Sequence, residues 1–380
     1  MRGLSSLYKG LSGVEPTADD IGAVKKAGDT MTGALILSGS PTEPNQAATK
    51  SYVDSNSSSA TTTTQGVVYL LPNRNILING AMAIDQRNAG ASQTITAGSA
   101  LVYTIDRWYA YCTGANATGQ RVAGTSPNQY NYRFTGASSV SKIGFAQRIE
   151  ATNCQHLASK TATLSVDLAN SLLTTITWVA SYATTADAFG TIASPTKTQI
   201  ATGTFTVNST LTRYATSIAI PAGATTGIEI EFSVGSQTSG TWTIGRVQLE
   251  DTPEQTTFEN RTIQQELQLC EWYFKKTFAL NVAPANNAGL INALAVRCPS
   301  SANNNFSLHW DLNMRANPTI TTYNPSSGTS GFWFTDDTST SISSSIETNL
   351  GAKRANISHT GAVGVSQLDY YIHAVASAEL

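Results

Sequence analysis

The sequence predicts a mainly all-β protein: a jelly-roll β-sandwich and a smaller C-terminal β-domain, preceded by an N-terminal stretch that cannot hold a core alone. Three observations carry this expectation. Between residue 73 and about 260, many short segments alternate apolar with polar residues, the period of a half-buried antiparallel strand. Gly, Ser, Asn and Pro punctuate those segments, as turns do in sandwiches and barrels. The first 72 residues, by contrast, carry too few apolar side chains to bury a core at that size.

In chain order, Gly28–Leu35 is a turn followed by one short apolar step, Leu35-Ile36-Leu37, and a Pro/Ser/Gly stretch, Ser38–Pro44. Asn45 can cap one or two helical turns over Gln46–Val53, with Ala48, Tyr52 and Val53 on one face. Such a segment is either disordered or buried by identical copies of itself. Ser55–Gln65 (SNSSSATTTTQ) is a flexible Ser/Thr linker.

The strands follow. Alternation marks Leu164/Val166/Leu168, Ile176/Trp178/Ala180/Tyr182, Phe205/Val207 and Tyr214/Thr216/Ile218/Ile220. In Gly227–Val234, Ile228, Ile230, Phe232 and Val234 share one face, and Glu229, Glu231 and Ser233 are expected toward solvent. The apolar phase jumps between Trp242/Ile244 and Val247/Leu249, which predicts a β-bulge at Gly245-Arg246. Trp178 and Trp242 belong to the core. Thr262 and Gln265 form a capping box for a helix with a stripe of Ile263, Leu267, Cys270 and Phe274. Lys275 and Lys276 are expected at its end, where positive charge suits the dipole. Beyond residue 277, Leu290–Val296, Phe306–Leu312 and Leu368–Val375 are expected strands, and Asn324–Gly328 a turn cluster.

Composition narrows the function. Charged residues make up 13% of the 380, against about 25% in an average soluble domain, and Ser and Thr fill much of the gap. A net charge of -2 with no basic block leaves no footprint for nucleic acid. No apolar run approaches the roughly 20 residues of a membrane span, and Met1–Gly10 lacks the apolar centre of a secretory signal. Cys112, Cys154, Cys270 and Cys298 stand far apart, as do the four histidines. No short metal-ligand spacing exists, so no metal or cofactor is expected and the cysteines read as buried structural thiols.

Two runs carry a resemblance: Gly28-Asp29-Thr30-Met31-Thr32-Gly33-Ala34-Leu35, and Pro44-Asn45-Gln46-Ala47-Ala48-Thr49-Lys50-Ser51-Tyr52-Val53-Asp54. Together they resemble the repeat of bacteriophage tail fibre proteins, DTMTG-x-L followed by NxAATKxYVD. Asn75–Gly80, Asp85-Gln86-Arg87 and Asp106-Arg107-Trp108 resemble the opening of the carbohydrate-binding-module-like jelly roll common in phage fibres. Val247–Glu250, Phe258–Arg261 and Glu266–Tyr273 are similar to that domain's close, and Met314–Thr321 to the segment that follows it. The repeat occurs once, where long fibres carry many copies, and no intramolecular chaperone tail is evident.

The resemblance implies a homotrimeric, receptor-binding tail fibre, assembled in the host cytoplasm, resident on the virion tail and without enzymatic activity. Residues 1–21 would attach to a baseplate or tail protein, through Leu4, Leu7, Tyr8 and Leu11. Residues 22–54 would form an extended trimeric stem, with Met31, Leu35, Leu37, Tyr52 and Val53 at its contacts. Residues 55–72 would be the linker, 73–276 the jelly roll with its closing helix, and 277–380 the tip that meets a host-surface glycan. A head fibre or capsid decoration is the alternative within structural proteins; a glycan-degrading tailspike is the alternative of another class.

Phe332, Trp333 and Phe334, with Asp336 and Asp337, are the candidate receptor residues. They follow a Gly/Ser turn, and recognition residues concentrate on such loops. Three adjacent aromatics cannot all point inward from one strand, so the cluster serves either receptor contact or a subunit interface. Asp106-Arg107-Trp108 could be a sugar fork, but the structural reading, a core Trp beside a mutually satisfied Asp/Arg pair, is favoured. A glycosidase needs two carboxylates roughly 5–10 Å apart. Asp336-Asp337 and Asp19-Asp20 are adjacent in sequence and diverge on a strand, and no nucleophile elbow or phosphate loop occurs.

Overall fold

The protein is described by a computed structural model covering residues 40–42, 47–55, 73–98, 101–285, 288–297, 305–310, 313–335, 341–347, 351–352, 354–359 and 369–380. A short helix, α1, spans 50–55 and belongs to a unit separate from the one beginning at Leu71. Thr49 caps it, its Oγ1 accepting from the Tyr52 amide at 3.1 Å, and Lys50 pairs with Asp54 one turn on. The helix therefore starts after the position expected from Asn45, which lies outside the described residues.

From residue 73 the chain is a β-sandwich. Its strands are β1 (Gln93–Ile95), β2 (Val102–Ile105), β3 (Trp108–Thr113), β4 (Ala117–Ala123), β5 (Tyr130–Thr135), β6 (Lys142–Ile149), β7 (Thr161–Asn170), β8 (Thr175–Ala183), β9 (Lys197–Thr206), β10 (Thr212–Ala219), β11 (Ile228–Val234) and β12 (Thr241–Glu250). One sheet runs β1-β4-β5-β12-β7-β10 and the other β2-β3-β6-β11-β8-β9. Every pairing in both sheets is antiparallel. The chain crosses between the sheets repeatedly, with β2–β3, β4–β5 and β8–β9 paired as neighbours, so that β12 enters between β5 and β7 and β11 between β6 and β8. This is the jelly-roll sandwich that the alternating pattern predicts.

The facing sides interlock through stacked rings: Trp108 on Phe145 at 4.9 Å, Phe145 on Tyr132 at 5.2 Å, and Phe134 on Trp242 at 4.9 Å. Trp178 and Trp242 both lie in this core. The bulge falls where the apolar phase jumps: the β12–β7 register shifts between Gly245 and Gln248, and Arg246 adopts φ 44°. Cys112, Cys154 and Cys270 are buried and free; Cys298 lies outside the described residues.

After the short helix α2 (Ala151–Cys154), the longer helix α3 spans Ile263–Glu271 with the expected Thr262/Gln265 capping box. Its buried face differs from the expected stripe. Glu266 and Cys270 are buried while Ile263 is exposed, because Arg261 and the Asn79 amide draw the Glu266 carboxylate inward. The helix also stops before Lys275 and Lys276, which lie in strand β13 (Phe274–Lys276). Lys276 Nζ there donates to three backbone carbonyls, those of Gln86, Leu280 and Val282, instead of meeting a helix dipole.

The distal sheet continues with β14 (Leu294–Arg297), β15 (Asn305–His309), β16 (Thr319–Tyr323), β17 (Phe332–Thr335), β18 (Ser341–Glu347), β19 (Arg354–His359) and β20 (Asp369–Ser377). β20 is its hub, pairing with β13, β14, β16 and β17. Residues 274–276, expected at the end of the jelly-roll module, thus belong to this sheet. Residues 290–293, expected in a strand, are turns instead. The Glu379 carboxylate, just beyond β20, pairs with Arg87 at 2.6 Å and with Arg107, tying the distal sheet to the sandwich.

Candidate functional site

Of the residues expected to function, Leu4, Leu7, Tyr8, Leu11, Met31, Leu35, Leu37, Asp336 and Asp337 lie outside the described residues. Tyr52 and Val53 are exposed on α1. Phe332 and Phe334 are half-buried on one side of β17, and Trp333 points the other way. Trp333 is only 1% exposed. Its ring meets Phe306 and Tyr370 edge-on, and its Nε1 donates to the Ser358 carbonyl at 3.3 Å. This corrects its place among receptor contacts: strand alternation sends the middle aromatic into the distal core.

Asp106-Arg107-Trp108 is also interior, each at most 1% exposed. The Asp/Arg pair does not satisfy itself, however. Asp106 accepts from the Gln86 amide at 2.6 Å and side chain at 2.9 Å, while Arg107 turns to Glu379 and stacks 3.4 Å over Tyr273. Burial pushes the Asp106 carboxyl up to about 6 from 3.8, against the Arg87 charge and the Gln86 hydrogen bonds. A carboxyl raised in the fold binds its proton more tightly there than unfolded, so stability rises as pH falls through that interval. Burial raises Glu150 and Glu266 in the same sense. His373, lowered by burial, pulls the other way over the same range; Asp106→Asn is therefore expected to lower Tm at pH 5 relative to pH 7.5 when each is compared with the parent chain.

The side chains that converge outside the core lie on the outer face of the second sheet. Tyr109 and Tyr111 on β3, Arg148 on β6 and Glu229 and Glu231 on β11 all face outward, opposite the core residues with which they alternate. The β6 residues between them, Gly144 and Ala146, are small. A Cβ on Gly144 would stand 2.2 Å from Tyr111 Cε1, so glycine there lets the ring lie across the strand. Tyr111 Oη then donates to Glu231 at 2.6 Å and Tyr109 Oη to Glu229 at 2.7 Å.

Cations close the set. Arg148 Nε donates to Glu229 at 3.0 Å, Lys142 Nζ to Glu231 at 3.2 Å, and Lys197 bridges both carboxylates. Burial alone would raise Glu229, but the Lys197 charge and the hydrogen bonds from Lys197 and Tyr109 hold it below its ordinary value. Burial and the neighbouring carboxylates raise both tyrosines.

The sequence pattern put Glu229, Glu231 and Ser233 in solvent, yet they are 1%, 8% and 6% exposed. Two segments cover them. The 184–196 loop brings Phe189 and Ile192 onto the face, where Arg148 lies 5.1 Å from the Phe189 ring centroid. The Leu380 carbonyl accepts from Tyr103 Oη and Arg148 Nη1, each at 2.9 Å. What stays open is a groove of about 320 Å³, lined in part by Tyr111, Lys142, Val179, Lys197, Gln199 and Glu231. It offers an aromatic edge, two ammonium groups, a carboxylate and an amide, a set suited to hydrogen-bonding a polyol.

Sequence reasoning missed this site because alternation separates two faces without saying what covers the second. The usable signal was the matched pairs Tyr109/Tyr111 and Glu229/Glu231, donors and acceptors at the same two-residue spacing. Among the described residues, no cluster of three or more potential metal ligands occurs.

No family model matches the chain, and no curated protein matches it. Solved structures do. A carbohydrate-binding module described as "CBM4 structure and function" is 18% identical over 46% of this chain and 98% of its own, with a TM-score of 0.30. The enzymatically active domain of tailspike protein 4 of bacteriophage CBA120 is 18% identical over 47% of this chain and 22% of its own, at 0.28. The module TmCBM61, solved with β-1,4-galactotriose, is 13% identical over 47% of this chain and all of its own, at 0.29. These likenesses identify no ligand for this chain.

Proposed function

We propose that this chain is a bacteriophage tail fibre: a homotrimeric, receptor-binding structural protein that attaches the virion to host-surface glycans. The observation that carries the reading is the fibre-repeat pattern GDTMTGAL…PNQAATKSYVD set before a jelly-roll sandwich. The N-terminal segment grips a baseplate or tail protein, the stem trimerises, and the β-modules face the host. Weak sugar contacts, repeated three times per fibre and again over several fibres, sum to firm attachment. The groove beside Tyr111 supports glycan contact through hydrogen bonds, in keeping with the low overall charge.

The reading is of a binder and not a hydrolase. Glu229 and Glu231 are the obvious carboxylate pair, but Tyr109, Arg148 and Lys197 occupy the first and Tyr111, Lys142 and Lys197 the second, so neither stands free to serve the acid-and-nucleophile pairing that glycoside cleavage requires.

Immunogold electron microscopy of the virion, with light scattering of the purified chain, tests the proposal. Tail labelling and the mass of three chains are expected; head labelling would make it a decoration protein, and a monomer would sink the trimer. The purified protein should also block phage adsorption. Replacing Lys142 and Gln199 together by alanine should weaken that block about tenfold, as loss of a charge-assisted hydrogen bond does, with Tm little changed. Release of reducing ends from host polysaccharide would overturn the non-catalytic reading.

A further inference from the structure

Trp272 is the one tryptophan among the exposed large apolar side chains of the described residues, at 41%, and neither the core nor the Lys142/Lys197 groove uses it. It follows the last residue of α3, and its backbone is held there, the Trp272 carbonyl accepting from the Arg315 amide at 2.8 Å. Beside it, the Glu150 carboxylate accepts from Asn153 Nδ2 at 3.0 Å and faces Arg315 Nε at 3.6 Å. The indole borders a groove of about 510 Å³, lined also by Ile78, Asn153, Gln268, Leu269, Tyr273 and Asn313. Asn153, Gln268 and Asn313 are all exposed amides.

We propose that this groove is a second saccharide site, taking a neutral hexopyranose stacked on the Trp272 indole. The C–H face of a pyranose packs on an aromatic ring, and amides both donate to and accept from hydroxyls. The charges within reach, Glu150 and Arg315, neutralise each other, so the site holds no uncompensated charge for an acidic sugar. A subunit interface fits less well. Stable interfaces bury about 800 Å² per partner, and the exposed apolar patch here is two side chains, Leu269 and Trp272, one turn apart with a polar rim. The inference does not rest on a virion origin.

The test is the purified full chain on an array of neutral hexose and N-acetylhexosamine oligosaccharides, followed by calorimetric titration of the strongest binder. Trp272→Ala should weaken binding about tenfold or more, as truncation of an aromatic anchor does; Trp272→Phe should hold within about threefold, since it keeps a ring. Gln268→Ala with Asn313→Ala, both exposed and remote from the core, should weaken binding several-fold even if Trp272→Ala folds poorly. A binder whose affinity falls in the Lys142/Gln199 double variant and holds in the Trp272 variants sits in the other groove and would overturn the assignment. A parent chain that binds nothing on the array, or variants at Trp272, Gln268 and Asn313 that bind like the parent, would overturn the proposal. So would a Trp272→Ala protein of altered oligomeric mass, which would make the patch a protein contact. Array binding retained by a chain that fails to block adsorption would overturn the virion reading alone.

Discussion

Replacing Trp333 by alanine is expected to cost about 3–5 kcal/mol, the range for deleting a fully buried indole. The ring fills the space between Phe306 and Tyr370 and donates to the Ser358 carbonyl; alanine leaves a cavity and removes that hydrogen bond. For a module of roughly 100 residues, each kcal/mol moves Tm by about 4–8 °C, so the distal transition in calorimetry should shift by tens of degrees. The sandwich keeps its own stacked core and should melt separately and higher. A Trp333→Ala chain that lost cell binding would therefore report unfolding. One that lost binding with an unchanged melting profile would return the indole to the receptor surface.

Removing the Arg107 guanidinium is expected to be similarly severe, about 3–5 kcal/mol, because one half of a buried ion pair is left behind. Arg107 sits at 1% exposure in the tight link between β2 and β3 with φ 70°. It meets Glu379, donates to the Arg148 carbonyl at 2.6 Å and lies flat on Tyr273. Burial works against its charge while Glu379 holds the proton on. Arg107→Lys should rescue little, since an ammonium cannot stack and fork in one plane. Arg107→Ala combined with Glu379→Ala should cost less than the sum of the single changes, by about 0.5–3 kcal/mol of coupling. Strict additivity in chemical denaturation would mean the contact contributes nothing.

The residues that made the fold legible are those whose neighbours along the chain decide their environment. Ile228, Ile230, Phe232 and Val234 announce a strand by alternation alone, and the phase jump after Ile244 announces the bulge by count. Thr262 and Gln265 meet within one turn, so the cap was readable as well. The failures share one cause: a partner distant in sequence. Glu231 is buried because loop 184–196 returns over it, Arg107 because Glu379 reaches it from 272 positions away, and Lys276 leaves the helix end in part because the Gln86 carbonyl, 190 positions back, takes its ammonium. The Phe332–Phe334 cluster was half legible. Alternation required that its members diverge, but not which one went inside, and the core that takes Trp333 is built from β15, β19 and β20.

The hub position of β20 has a consequence for the order of folding. Every sandwich strand is made by residue 250, so that module can condense from contacts already present. β13, β14 and β16, whose strand partner among the described residues is β20, must wait for 369–377 before those hydrogen bonds close, over separations of up to 103 residues. Loop closure on that scale slows condensation and leaves strand edges unprotected meanwhile. Assembly of the distal module should therefore trail that of the sandwich, and a frameshift ahead of Asp369 would release β13, β14 and β16 in one event.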